Sequence, residues 1–145
     1  MDERRGGEAD GGERVRDVGE FGLIERLRAA LPPGAAAGPG IELGIGDDAA
    51  VWRPMPGEQV VVTTDSLVEG IHFRLDWTDW ASLGHKALAV NLSDLAAMGA
   101  VPRLAVVTLG LRGDERVADL EALYRGLGAL AARTGCAVAG GDLVA

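Results

Sequence analysis

Between Gln59 and Ala100 the chain changes its hydrophobic period, and this restricts the folds open to it more than any other feature. Gln59–Thr64 (QVVVTT) is short, apolar and β-branched, and reads as a buried strand running into Asp65. From Asp79 to Ala100 the spacing is helical. Trp80, Leu83, Ala87, Val90 and Asp94 share one face, while Leu88, Leu92 and Leu95 cover a neighbouring one. Thr78 or Asp79 is placed to cap the start, and Gly99 with Pro102 to end it. The same alternation extends both ways. Phe21, Leu23, Ile24, Leu27 and Leu31 predict a helix stopped by Pro32-Pro33, followed by a loop, LPPGAAAGPG. A first strand is expected near Ala49–Arg53, just after the turn GIGDD. Arg103–Leu111 predicts another strand. Asp114 is expected to cap a helix striped by Val117, Leu120, Tyr124, Leu127 and Leu130, with Gly135 as its stop. Cys136–Ala139 begins a last strand that reaches Gly140-Gly141-Asp142. Strands interleaved with helices give an α/β (α+β) fold, a mixed sheet packed on two main helices.

With 145 residues, the chain has room for one domain. Residues 1–17 are rich in Gly, Glu, Asp and Arg and are expected to form a disordered tail, leaving 18–145 as the folded unit. The chain stops three residues after Asp142, where a further element is expected, so it reads as the front part of something longer. The net charge of −8 argues against nucleic-acid binding through a basic surface, because phosphate backbones are repelled unless cations intervene. No run of about 18 apolar residues suggests a membrane span. The single cysteine, Cys136, excludes a disulfide within the chain and suits a reducing cytoplasm.

The acidic residues carry the chemistry. Asp47 and Asp48 sit in the GIGDD turn, Asp65 ends the expected strand beside Thr63 and Thr64, Asp94 lies on the long helix, and Asp142 follows Gly140-Gly141. Carboxylates at strand ends collect where open α/β sheets bind ligands, and hard oxygen donors of this kind suit Mg²⁺. Each also has a plain reading: Asp47-Asp48 and Asp142 as turn residues, Asp65 as a strand end, and Asp94 bonded locally to Asn91. Asp94 is the hardest to dismiss, since an unpaired carboxylate on a buried helical face is costly. The glycines of GIG and GG allow a close backbone approach to phosphate. Neither GxxxxGK[ST] nor GxGxxG after a strand occurs, and one cysteine with His72 and His85 offers no zinc spacing. Tyr124 fits the core by periodicity or an adenine by stacking. Trp77 and Trp80 are expected to staple the long helix to the body, and Arg53, Arg74 and Arg103 are free to meet phosphate.

Taken in order, GEFGLIERL, GIGDDAAV, TTDSLVEGIHF, KALAVNLSDLAAMGAVP and VAGGD resemble the thiamine-monophosphate kinase family, of the superfamily that includes aminoimidazole ribonucleotide synthetase. The hydrogenase-maturation dehydratase shares a GDD turn and a DLAxMGA helix, but EGIHF and NLSDLAAMGA look more like the thiamine enzyme. Selenophosphate synthetase normally has an essential Cys or selenocysteine near its N-terminus, and here the only cysteine is Cys136. The resemblance implies the N-terminal domain of that superfamily's fold, with a C-terminal domain lying beyond this chain. It implies a cytoplasmic homodimer, paired through this domain, that phosphorylates thiamine phosphate with ATP and several Mg²⁺ ions. Carried over, Asp48, Thr63, Thr64, Asp65, Asp94 and Asp142 would hold metal. Gly141, Asp142 and Tyr124 would meet ATP, and His72 would meet the substrate. No dedicated general base is implied, because the attacking phosphate is largely ionised near neutrality. The alternatives are a non-catalytic metal- or nucleotide-binding domain that dimerises through an exposed sheet, or a related superfamily enzyme such as the hydrogenase-maturation dehydratase.

Overall fold

A computed structural model describes residues 12–144. In chain order the elements are α1 (Val15–Ala30), β1 (Ile41–Leu43), β2 (Val51–Trp52), α2 (Trp80–Ala97), β3 (Leu104–Gly110), α3 (Val117–Thr134) and β4 (Ala137–Val144). The α/β architecture stands, with parallel and antiparallel pairing divided between two small sheets. β1 and β2 pair antiparallel, and β3 and β4 pair parallel around the α3 crossover.

Both α1 and α2 pack on α3, whose apolar stripe is buried as its periodicity predicts: Val117, Leu120, Tyr124, Leu127 and Leu130. The α2–α3 crossing is tight for a reason that hydrophobic spacing does not reveal. A Cβ on Gly84 of α2 would collide with the Leu123 carbonyl of α3, and one on Gly126 of α3 would collide with the Ala81 carbonyl of α2. Two glycines facing opposite backbones thus set how closely the helices approach. Asp79 caps α2 as expected, its carboxylate accepting from the Ser82 N–H at 2.7 Å and the Ser82 hydroxyl at 3.1 Å. These bonds, the backbone one foremost, hold its carboxyl below the usual value.

The structure corrects several expectations. Residues 1–11 of the expected tail lie outside the described residues, but its last three belong to α1. Val15 is buried, and strand-like bonds join the segment to the start of α3, from Val15 N–H to Glu115 O at 3.0 Å and from Val117 N–H to Glu13 O at 2.9 Å. Asp114 does not cap α3; the helix starts at Val117, and the Glu115 carboxylate takes up the Arg112 and Gly113 N–H groups. Gln59–Thr64 forms no strand. No neighbouring strand among the described residues pairs with it, and its Val60, Val61 and Val62 are 56, 41 and 83% exposed. The β-branched composition favours an extended backbone but does not supply a partner. Gly140-Gly141-Asp142 is not a turn either; it continues β4 in register with Val106, Val107 and Thr108. Trp80 packs against the core, but Trp77 is 77% exposed under the Arg74 guanidinium, 4.6 Å from its ring centre. No helix among the described residues is long and apolar enough to cross a membrane.

Candidate functional site

The two glycine-rich acidic motifs approach one another across β4. The pairing of β3 with β4 slips by one residue after Ala105–Val138, so that Val106 faces Gly140 and Thr108 faces Asp142. Beyond the slip, Gly140 and Asp142 point to one side of the strand. On that side a Cβ at Gly140 would lie 4.0 Å from the Cβ of Ala50, two residues past the GIGDD turn. Asp48 lies in this turn, where its N–H donates to Asp47 Oδ1 at 2.9 Å. The turn therefore flanks the exposed half of β4 that carries Asp142.

Gly141 has a structural reason to be glycine. A Cβ there would collide with the Val107 carbonyl of β3, so the residue permits close pairing of the strands whether or not a nucleotide approaches it.

The second grouping lies on α2. Thr63 Oγ1 donates to Asp94 Oδ2 at 2.9 Å, tying the extended segment 59–68 to the helix. Asp94 is exposed, so the burial cost expected of it does not arise, and its partner is Thr63; Asn91 instead donates to the Ala87 carbonyl at 3.0 Å. Thr64 and Asp65 follow Thr63 on the exposed segment. His72 sits in the loop that returns the chain to α2, and its Nδ1 accepts from the Val68 N–H at 3.0 Å.

Tyr124 and three arginines are held by the fold. Tyr124 is 6% exposed and packs in the core, as its periodicity predicts; burial pushes its phenol up to about 12. The three arginines are already engaged. Arg53 pairs with Glu42 at 2.6 Å, Arg74 with Asp76 at 2.6 Å, and Arg103 with Glu58 at 2.7 Å. The hydrogen bond from Arg103 also lowers the Glu58 carboxyl below its ordinary range. Cys136 is buried, and desolvation raises its thiol, as befits a packing residue.

The donor set fits a hard divalent cation. Asp48, Asp65, Asp94 and Asp142 are all exposed carboxylates, with threonine hydroxyls beside two of them. Among the described residues no three His, Cys, Asp or Glu side chains gather in one place. An ion here would thus take one or two carboxylates and fill its remaining positions with water and phosphate oxygens, the usual habit of Mg²⁺.

Residues 46–145 match the family described as AIR synthase related protein, N-terminal domain, a stretch that includes every metal-ligand candidate. The chain is 42% identical over 129 residues to a thiamine-monophosphate kinase of Synechococcus elongatus, covering 89% of this chain and 37% of that protein. It is 37% identical over 125 residues to one of Bacillus subtilis, covering 86% and 37%. A crystal structure of thiamine-monophosphate kinase from Stenotrophomonas maltophilia superposes with a TM-score of 0.71 at 44% identity, over 88% of this chain and 38% of that one. The chain thus spans a little over a third of the length of these relatives.

Proposed function

The chain belongs to the AIR synthase related protein family, matching its N-terminal domain, and on that premise we propose that it is the metal- and nucleotide-binding part of a kinase that converts thiamine phosphate to thiamine diphosphate. The observation that carries the reading is the placement of Asp48, Asp65, Asp94 and Asp142. All four are exposed, all lie within the matched residues, and two of them stand where glycine-rich backbone segments meet.

In the proposed reaction a phosphate oxygen of thiamine phosphate attacks the γ-phosphorus of ATP, the bond from that phosphorus to the β–γ bridging oxygen breaks, and ADP leaves. Phosphoryl transfer asks the protein mainly for alignment and charge neutralisation. Bound Mg²⁺ ions would supply the charge neutralisation. Asp48, Asp65, Asp94 and Asp142, with Thr63 and Thr64, would hold them, and Asp142 would also meet the nucleotide. His72 would orient the substrate's anionic group. The attacking oxygen is already largely ionised at neutral pH, so no side chain need act as base. Transfer is direct, with no phosphorylated residue on the enzyme. A reducing cytoplasm suits the single buried thiol, and the exposed Val60–Val62 run offers an apolar segment for pairing two copies into a homodimer.

The test is a chimera in which this chain replaces the segment it matches in the Synechococcus elongatus relative, assayed for thiamine diphosphate formed from ATP and thiamine phosphate. Turnover that falls by on the order of a hundredfold or more in Asp65→Asn is expected. A folded chimera that makes no thiamine diphosphate would overturn the proposal, as would unchanged turnover in the variant. A stable phosphorylated Asp or His trapped during turnover would rule out direct transfer.

A further inference from the structure

The chain's single lysine, Lys86, makes no ion pair with a carboxylate among the described residues. Its Nζ donates to the backbone carbonyl of His72 at 2.5 Å, across fourteen residues of sequence. That carbonyl belongs to a loop already closed on itself. The Ile71 and His72 N–H groups donate to the Val68 carbonyl at 3.2 and 2.8 Å, and the Gly70 N–H donates to the Phe73 carbonyl at 2.8 Å. Leu67 and Phe73, at its two ends, pack against the core. The ring of His72 faces back into the same loop, its Nδ1 accepting from the Val68 N–H at 3.0 Å. A nitrogen that accepts an amide hydrogen carries no proton of its own, so the neutral ring holds its proton on Nε2.

We infer that Lys86 is a positioning residue: its ammonium clamps the Leu67–Phe73 loop so that His72 offers a fixed Nε2–H donor to an anionic group such as a phosphate monoester. An ammonium-to-carbonyl bond is charge-assisted and stronger than a neutral one. The bases of donor and clamp lie on rigid structure, because Lys86 stands on α2, the helix that also carries Asp94 eight residues later, about 12 Å along its axis. One helix therefore sets both the His72 donor and a candidate metal ligand. The role of the donor rests on the proposed substrate contact of His72; the clamp does not.

Proton–nitrogen correlation spectra of the histidine rings test this on the chain as it stands, with His85→Gln assigning the second histidine. In the unaltered chain His72 should show a protonated Nε2 and an unprotonated Nδ1. In Lys86→Met, which keeps the stem and removes the charge, the ring should populate both tautomers. Exchange of the Val68 and Gly70 amides should quicken on the order of tenfold, the size of one lost charge-assisted bond, while α3 amides stay protected. Lys86→Arg should restore the original ring signals. Unchanged ring signals and exchange in Lys86→Met would overturn the inference, as would a proton on Nδ1 in the unaltered chain. Adding thiamine phosphate should shift the His72 ring signals. If they stay put while Lys86→Met loosens the loop, the clamp stands and the substrate contact is refuted.

Discussion

Asp94 accepts one hydrogen bond, from Thr63, and keeps the rest of its carboxylate open to water. That is the condition for a ligand of a cation that arrives with its own waters and phosphates, and a structural carboxylate would instead be saturated by donors from the fold. Asp79 is the contrast. It uses both oxygens on Ser82 to cap α2, and its task ends there. Because those bonds lower its carboxyl, they stabilise the fold fully above the ordinary carboxylate range and lose their effect as pH falls through the lowered value. Asp79→Ala should therefore reduce Tm by a few degrees at neutral pH and by less once the pH has fallen below the ordinary carboxylate range, read by circular dichroism in parallel melts. Tyr124 moves the opposite way. Burial raises its phenol, so the stability it lends is intact below about pH 10 and drains away as pH climbs towards about 12. It is the only tyrosine, so an absorbance titration should place its ionisation near 12 in step with loss of helical signal; ionisation near 10 in the folded chain would contradict its burial.

Gly84 and Gly126 determine how α2 and α3 meet, since each stands where the other helix's backbone leaves no space for a Cβ. Gly84→Ala must push the helices apart and should cost about 1–3 kcal/mol, measured by urea unfolding. Gly141→Ala should cost a similar amount by forcing β4 away from β3, about 1–3 kcal/mol on the same measurement. If it weakened nucleotide binding with stability unchanged, the packing explanation for this glycine would fail. These elements also mark how far sequence alone could see. The stripe on α3 and the cap on α2 were legible because a helix satisfies its own backbone and needs only one apolar face against a neighbour. Val60–Val62 have the composition of a strand, but a strand needs a partner, which local composition does not specify. Asp48 and Asp142 were legible as acidic positions. That the GIGDD turn lies beside β4 was not, because it depends on how the chain packs far along the sequence, with the Gly140 position 4.0 Å from the Ala50 Cβ. Nothing in the spacing of Lys86 and His72 announced their contact, since it joins a helix to a loop fourteen residues away.

The molecule brings these pieces onto one architecture: α3 at the centre, α1 and α2 packed on it, and the β3–β4 pair beside them with the GIGDD turn against its exposed half. The acidic balance of −8, which argues against a direct phosphate partner, is compatible with the proposed one that arrives with Mg²⁺, for which exposed carboxylates on four separate segments are the proposed ligands. Only a few of the acidic residues take part in this; others neutralise Arg53, Arg74 and Arg103 or cap elements. The proposed binding of nucleotide by these carboxylates runs through the cation. It is tested most directly by calorimetric titration of a non-hydrolysable ATP analogue into the chain, with and without Mg²⁺, alongside Asp94→Asn. The account predicts binding only with Mg²⁺, weakened on the order of tenfold or more in the variant. An analogue that fails to bind, or that binds equally well without Mg²⁺ or to Asp94→Asn, would contradict it.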